Sequence, residues 1–223
     1  MQGKLGAIKG FLSLLRLKLK LMKHSALSMN FEECVPIEQR LCGVVNRKLS
    51  KDVTTMLVTA CRKEKTTVQS ALCAALMFAA AKIIRSEYEG NLRISCRSYV
   101  DLRKRFKPEV NRENLGVLAS SITSFHNVDI NMPFWDLARD VRQQLEIGLK
   151  SEDIFSIIVM TRKIYESLLS RPNEAPVTVS VTNVGRVEIT DDYGLFKLEE
   201  ISFVPAQAVF GGVFTAAVTT FPA

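Results

Sequence analysis

Histidine is nearly absent from this sequence, with His24 and His126 its two representatives. A multi-histidine metal centre is excluded on that ground, and chemistry that needs an imidazole base has two candidates. Cysteine lacks the patterns that would give it a structural task. Cys34, Cys42, Cys61, Cys73 and Cys96 are odd in number, contain no CxxC pair and sit in apolar runs. They read as buried thiols in a reducing compartment, the cytoplasm, and argue against a disulfide framework or a zinc site. No run reaches the roughly 18 apolar residues of a membrane span. Acids are missing from residues 1–23, which carry Lys4, Lys9, Arg16, Lys18, Lys20 and Lys23. Of the net charge of +7, six units therefore belong to this opening segment and one to everything after it. The body has no basic stripe with interleaved aromatics, so a nucleic-acid partner is not expected.

What is present is enough for a core, since a chain of 223 residues can bury a large share of its surface without a staple. The first 30 residues read as a basic, leucine-rich helix and linker, and residues 31–223 as the folded body. Two patterns compete in the opening segment: Leu15 to Leu21 alternates with cations at period two, whereas Leu5, Ile8, Leu12, Leu15, Leu19 and Met22 fit a helical stripe. Length and leucine content favour the helix. Its composition suits an organelle transit peptide, a peripheral helix on a membrane surface, or an internal helix of a longer protein.

Further along, Leu41 to Leu49 reads as a strand. Ser50 is a helix N-cap with Asp52 in the first turn, ahead of Val53, Met56, Leu57, Ala60 and Cys61 at helical spacing. Thr66 or Thr67 caps a second helix, polar-free from Ala71 to Ala81, which should be central and buried. Leu92 to Val100 alternates as a half-buried strand, Asp101 to Pro108 is a cationic loop, and Leu115 to Phe125 is a strand of small residues. Pro133 opens a helix with Phe134, Leu137, Ala138, Val141 and Leu145 on one face. Ser151 caps another, striped with Ile154, Ile157, Ile158, Thr161, Tyr165 and Leu168. Arg171 to Pro176 breaks the helix. Val177, Val179 and Val181 then alternate with Thr178, Ser180 and Thr182 until Asn183 and Gly185 interrupt, as a bulge or as a turn. Two more strands, Leu195 to Val204 and Gly211 to Phe221, complete an α/β chain with a mixed sheet.

Five short stretches, in order, make this layout specific: Arg62-Lys-Glu-Lys-Thr-Thr-Val-Gln-Ser-Ala-Leu-Cys-Ala-Ala75, Val100-Asp-Leu-Arg103, Asn114-Leu-Gly116, Phe134-Trp-Asp-Leu-Ala138 and Val179-Ser-Val-Thr-Asn-Val-Gly185. Together they resemble the second half of the chloramphenicol-acetyltransferase-like superfamily. Its members include condensation domains, fungal alcohol acetyltransferases, mycobacterial polyketide-associated acyltransferases and plant BAHD acyltransferases. The spacing is most similar to the alcohol acetyltransferase and condensation branch, and the resemblance runs from about residue 40 to 221. It implies one chloramphenicol-acetyltransferase-like subdomain with a mixed sheet and packed helices. In a full member two such subdomains enclose a tunnel. One mouth admits an acyl thioester on coenzyme A or a carrier protein, and the other an alcohol or amine acceptor.

The resemblance also implies a base, the second histidine of an HHxxxDG motif in the first subdomain. These 223 residues lack it. His24 is followed by Ser-Ala-Leu-Ser, and His126 by Asn-Val-Asp129, one residue short and with no second histidine before it. On a strand, His126 and Asp129 would face opposite sides, so His126 reads as structural. A polar pocket around His126 with a carboxylate behind it would overturn the reading that the reactive imidazole belongs to a part of the molecule outside these residues. The remaining roles implied are an ion pair of Asp101 with Arg103 that organises a loop, and a tunnel flank at Thr182, Asn183 and Gly185, where the absent Gly side chain would let a pantetheine arm pass. Ser120 and Ser121 would lie on the acceptor side. No permanently bound cofactor is expected, an acyl-CoA or acyl-carrier thioester being a co-substrate. The final helix of the family is missing too. The chain alone should not turn over and should need the amino-terminal subdomain or a second chain as partner. The alternative is a non-catalytic protein-interaction or ligand-binding module built on the same fold.

Overall fold

The computed structural model describes residues 26–29, 33–86, 92–111, 113–116, 118–151, 153–171, 173–205 and 213–221. The basic helix expected over residues 1–23 lies outside them. Eight regular elements follow in order: α1 (Lys51–Lys63), α2 (Val68–Arg85), β1 (Leu92–Asp101), β2 (Ala119–Val128), α3 (Phe134–Lys150), α4 (Asp153–Leu169), β3 (Val179–Arg186) and β4 (Phe214–Thr220). The strands form one sheet in the order β2-β1-β3-β4. β1 and β2 run antiparallel, while β1 with β3 and β3 with β4 run parallel, so the sheet is mixed.

The starts of α1 and α2 are set by hydroxyls. The Ser50 Oγ accepts from the Val53 amide at 3.3 Å, and of the two threonine candidates Thr67 is the cap, its Oγ1 accepting from the Ser70 amide at 3.1 Å. Thr66 is used otherwise. Its hydroxyl donates to the Ala138 carbonyl at 3.0 Å and, with Arg142 donating to the Lys65 carbonyl at 2.7 Å, ties the α1–α2 turn to α3.

The polar-free centre of α2 forms the middle of the core. Cys73, Ala74, Met77, Ala80 and Ala81 pack against Ile94, Cys96, Val179 and Val181 of the sheet and Leu137, Ala138 and Val141 of α3. By length and composition α2 could cross a membrane. Here it is the core helix between sheet and α3, and its alanines permit the close approach. The Phe134-Trp-Asp-Leu-Ala138 motif earns its composition at this contact: Phe134 stacks on Phe78 with centroids 6.0 Å apart, and Leu137 and Ala138 are buried. A second cluster, Leu102, Ile122 and Ile154, seats α4 against β2.

Several expectations need correction. Leu41 to Leu49 pairs with no strand among the described residues, and its large apolar side chains are exposed. Leu195 to Val204 is likewise no strand: the segment holds an isolated bridge between Asp192 and Lys197. Both were inferred from apolar content alone, and a strand needs a neighbour that sequence does not display. β2 begins at Ala119, leaving Leu115 fully exposed. Cys34 and Cys42 are exposed, although Cys61, Cys73 and Cys96 are buried. The ribbon at Val177 to Val181 is covered on both faces, since Thr178 and Ser180 are as buried as the valines.

Where α3 crosses β2, a Cβ on Gly148 would lie 2.7 Å from Ile122 Cγ2. That atom belongs to a β-branched side chain and cannot swing away. Gly148→Ala should therefore destabilise the fold by about 1 kcal/mol in urea denaturation, overpacking outweighing the gain in helix propensity.

Candidate functional site

Alternation along the strands, combined with their register, sorts the sheet into two unlike faces. Ile94, Cys96, Ser98, Ser124, His126, Val179 and Val181 point toward α2 and α3. On the opposite face the pairings Arg97 with Thr123, Arg97 with Ser180, and Ser180 with Thr215 set four polar residues in one row across all four strands. The next row holds Ser121 paired with Tyr99, and Thr182 paired with Ala217; Tyr99 and Thr182 each follow by one residue the pair Ser98 with Val181.

This second face is polar and partly open. Arg97 Nε donates to Thr123 Oγ1 at 3.4 Å, and the hydroxyls of Ser180 and Thr215 are hydrogen-bonded to each other. Burial depresses the pKa of the Arg97 guanidinium, with the Tyr99 and Tyr165 phenols acting in the opposite direction. Tyr99 is exposed, and Ser121, Thr123 and Thr182 are half-buried. At the other end the face closes: Ser95 and Thr178 are buried and bonded to each other, and Thr178 Oγ1 donates to the Leu27 carbonyl. The sheet thus presents a short wall of hydroxyls around one half-buried cation, Arg97, accessible at the carboxyl ends of β1 and β3.

The residues singled out from sequence distribute unevenly over this wall. Ser121 and Thr182 lie on it, in one row with Tyr99 between them. Ser120 points the other way: it is buried, and its Oγ donates to the Ile154 carbonyl at 2.7 Å, fastening the first turn of α4. Asn183 and Gly185 form a bulge, which decides between the two readings of that interruption. The pairing of β3 with β4 slips between them, and Asn183 Oδ1 accepts the Gly185 amide at 2.8 Å. Gly185 is required for its φ of +73°, a left-handed conformation, and not for space, since nothing lies within 4 Å of the missing Cβ. Asp101 and Arg103 do pair, at 3.3 Å; Asp101 also accepts the Arg103 amide at 3.0 Å, and Arg103 reaches the Asn114 carbonyl at 3.5 Å. That organises the loop between β1 and β2. Arg97, Tyr99, Thr123 and Ser180 were missed, and strand alternation from Tyr99 and Thr182 backward was the signal available for them.

His126 has a carboxylate behind it after all. Asp140 Oδ2 lies 2.6 Å from Nδ1, and Ser124 Oγ lies 2.8 Å from Nε2. Asp140 sits on α3, fourteen residues away, where no short motif would reveal it; Asp129 is occupied instead with the Asn131 amide at 2.8 Å. The order serine, histidine, aspartate is that of a proton relay, but the His126 side chain has no solvent-accessible surface and Ser124 is buried. Both nitrogens are spent inside the protein, so the array is a staple. Gln144 reinforces it by accepting the Phe125 amide at 3.3 Å and donating to the Phe125 carbonyl at 3.0 Å. Burial lowers the pKa of His126, and Asp140 only partly offsets this. A neutral ring protonated at Nδ1 donates to Asp140, and the one proton of the Ser124 hydroxyl is shared between Nε2 and the Cys96 carbonyl 3.3 Å away.

Comparison with known proteins bears on the family and the fold. The sequence model for the family described as phthiocerol/phthiodiolone dimycocerosyl transferase C-terminus matches residues 38–200. Trichothecene 15-O-acetyltransferase from Fusarium sporotrichioides superposes with a TM-score of 0.72 over 99% of this chain and 48% of its own, at 12% identity. Polyketide synthase associated protein 5 from Mycobacterium tuberculosis is similar over 60% of this chain and 33% of its own, with 21% identity and a TM-score of 0.46. Vinorine synthase is similar over 63% and 33%, with 22% identity and a TM-score of 0.45. None of the curated proteins compared matches. The chain spans between a third and a half of the length of these solved structures.

A buried imidazole whose folded pKa is depressed takes up its proton more readily in the unfolded chain. Its contribution to stability is therefore complete above the free value of 6.5 and is lost as pH falls through the lower folded value. His126→Gln, which cannot titrate, should flatten the decline of the urea midpoint between pH 7 and 5 relative to the parent protein. An unchanged slope would contradict the staple.

Proposed function

This chain belongs to the phthiocerol/phthiodiolone dimycocerosyl transferase C-terminus family, and from that membership we propose that it is the carboxyl-terminal half of an acyltransferase, moving an acyl group from a coenzyme A or carrier-protein thioester to an alcohol or amine. The observation that supports the reading best is the hydroxyl row Ser121, Tyr99 and Thr182 on the partly open face of a sheet whose other face is closed by helices.

In the reaction the acceptor oxygen or nitrogen loses its proton to a base and attacks the thioester carbonyl, and the sulfur leaves as a thiolate. The base is not supplied here, because His126 is committed to Asp140 and Ser124 and no HHxxxDG occurs in the sequence. What this half contributes is orientation. Hydroxyls of Ser121, Tyr99 and Thr182 can hold polar groups of the acceptor or donate to the developing oxyanion. The Asn183–Gly185 bulge re-aims the end of β3 beside them. Neither step needs a metal or a resident cofactor. We place the chemistry in the cytoplasm, in keeping with unpaired cysteines.

The expected outcome of an acyl-transfer assay with acetyl-CoA and a panel of alcohols, read by release of free thiol, is no turnover from this chain alone. Adding an HHxxxDG-bearing amino-terminal half of the family from the same genome should produce turnover. Robust activity of the isolated chain would refute the proposal. Two polypeptides that associate but transfer nothing would leave the interaction-module alternative. In an active mixture, Thr182→Val should lower kcat/KM roughly tenfold, the loss of one hydrogen bond to a bound group. The melting temperature should not change.

A further inference from the structure

The segment Leu41-Cys-Gly-Val-Val-Asn-Arg-Lys-Leu49 has the composition of a strand, and among the described residues no strand lies beside it. It is not a loose loop on that account. Arg40, just before it, donates to Asn173 Oδ1 at 2.8 Å, Lys48 pairs with Glu200 at 3.1 Å, and Ser50 closes it as the cap of α1. Between these anchors every residue is exposed: Leu41 by 97%, Val44 by 60%, Val45 by 73% and Leu49 by 55%. Large apolar side chains on a stretch of backbone that no described strand pairs with form an edge that folded proteins normally cover.

We infer that residues 41–49 are a docking strand, added through main-chain hydrogen bonds to a sheet of the amino-terminal half that carries HHxxxDG. This rests on the half-enzyme reading given above. The occupant is indicated by size: this chain aligns over 99% of itself with 48% of the trichothecene acetyltransferase, so the fold it belongs to has about as much again to offer. A second copy of this chain fits the segment less well. Two such segments paired only with each other make a two-stranded ribbon, marginal in water, whereas addition to an existing sheet gives the valines a packed face.

Hydrogen–deuterium exchange of peptides spanning 41–49 tests this, in the chain alone and mixed with the HHxxxDG-bearing half. It is paired with sedimentation measurements of association for the parent, Val45→Pro, and an Ile83→Ser control on exposed α2 surface. Amides of 41–49 should exchange at least tenfold more slowly in the mixture. Val45→Pro should weaken association at least tenfold, because proline cannot donate to a ladder, and Ile83→Ser should not. The melting temperature of Val45→Pro alone should match the parent; if it drops, a Val44→Asp, Val45→Asp double variant replaces it with the same expected loss of association. Association that persists in these variants, with 41–49 still exchanging fast, overturns the docking strand and leaves the half-enzyme reading intact. No association at all overturns both. Protection that rises with the concentration of this chain alone makes a second copy the occupant and overturns the inference.

Discussion

The close approach of α2 to the β1–β3 pair is the constraint on which the rest of the molecule depends. Ala74, Ala80 and Ala81 let the helix lie close to the sheet, and the larger Met77, Ile94 and Val179 fill the remaining volume. Once that distance is fixed, α3 can reach both partners at once. It meets α2 through Leu137, Ala138 and Val141, and it is pinned to β2 by Asp140 on His126 and Gln144 on the Phe125 backbone. Apolar packing is tolerant of sliding. The hydrogen-bonded staple is not, because a helix shifted by one residue would leave a buried imidazole without its acceptor.

From this one-sided packing follows the asymmetry of the sheet. Helices consume one face entirely, and the other keeps hydroxyls and a guanidinium that would have no place in a sealed core. Small polar residues at alternate positions of β1 and β3 are compatible with burial because they bond to one another or to the neighbouring strand, as Ser95 does with Thr178 and Ser180 with Thr215. Leu41, Val44 and Val45 are exposed on a segment that pairs with no strand among the described residues, so it and the accessible end of the polar wall are two surfaces the helices leave uncovered.

His126 carries a carboxylate and a serine at hydrogen-bond distance, yet the geometry that matters for reactivity is access, and it has none. Ligands at both nitrogens satisfy a buried ring; a base needs one nitrogen facing the substrate.

Local signals in the sequence determined the helices, the buried character of α2, the approximate positions of β1, β2, β3 and β4, and the interruption at Asn183 and Gly185, because each follows from periodicity or from the chemistry of a few adjacent residues. Motif order determined the superfamily for the same reason. The register with β4 made that interruption a bulge, and the Ser70 amide on its hydroxyl made Thr67, not Thr66, the cap of α2. Only the tertiary structure decided that Ser120 and Ser121 serve opposite faces, that Arg97 and Tyr99 join Thr182, that Asp140 stands behind His126, and that the strand-like residues 41–49 pair with no strand among the described residues. Those are relations between distant segments, set by register and helix placement, and a hydrogen bond across a sheet or from helix to strand leaves no trace in the spacing of residues along the chain.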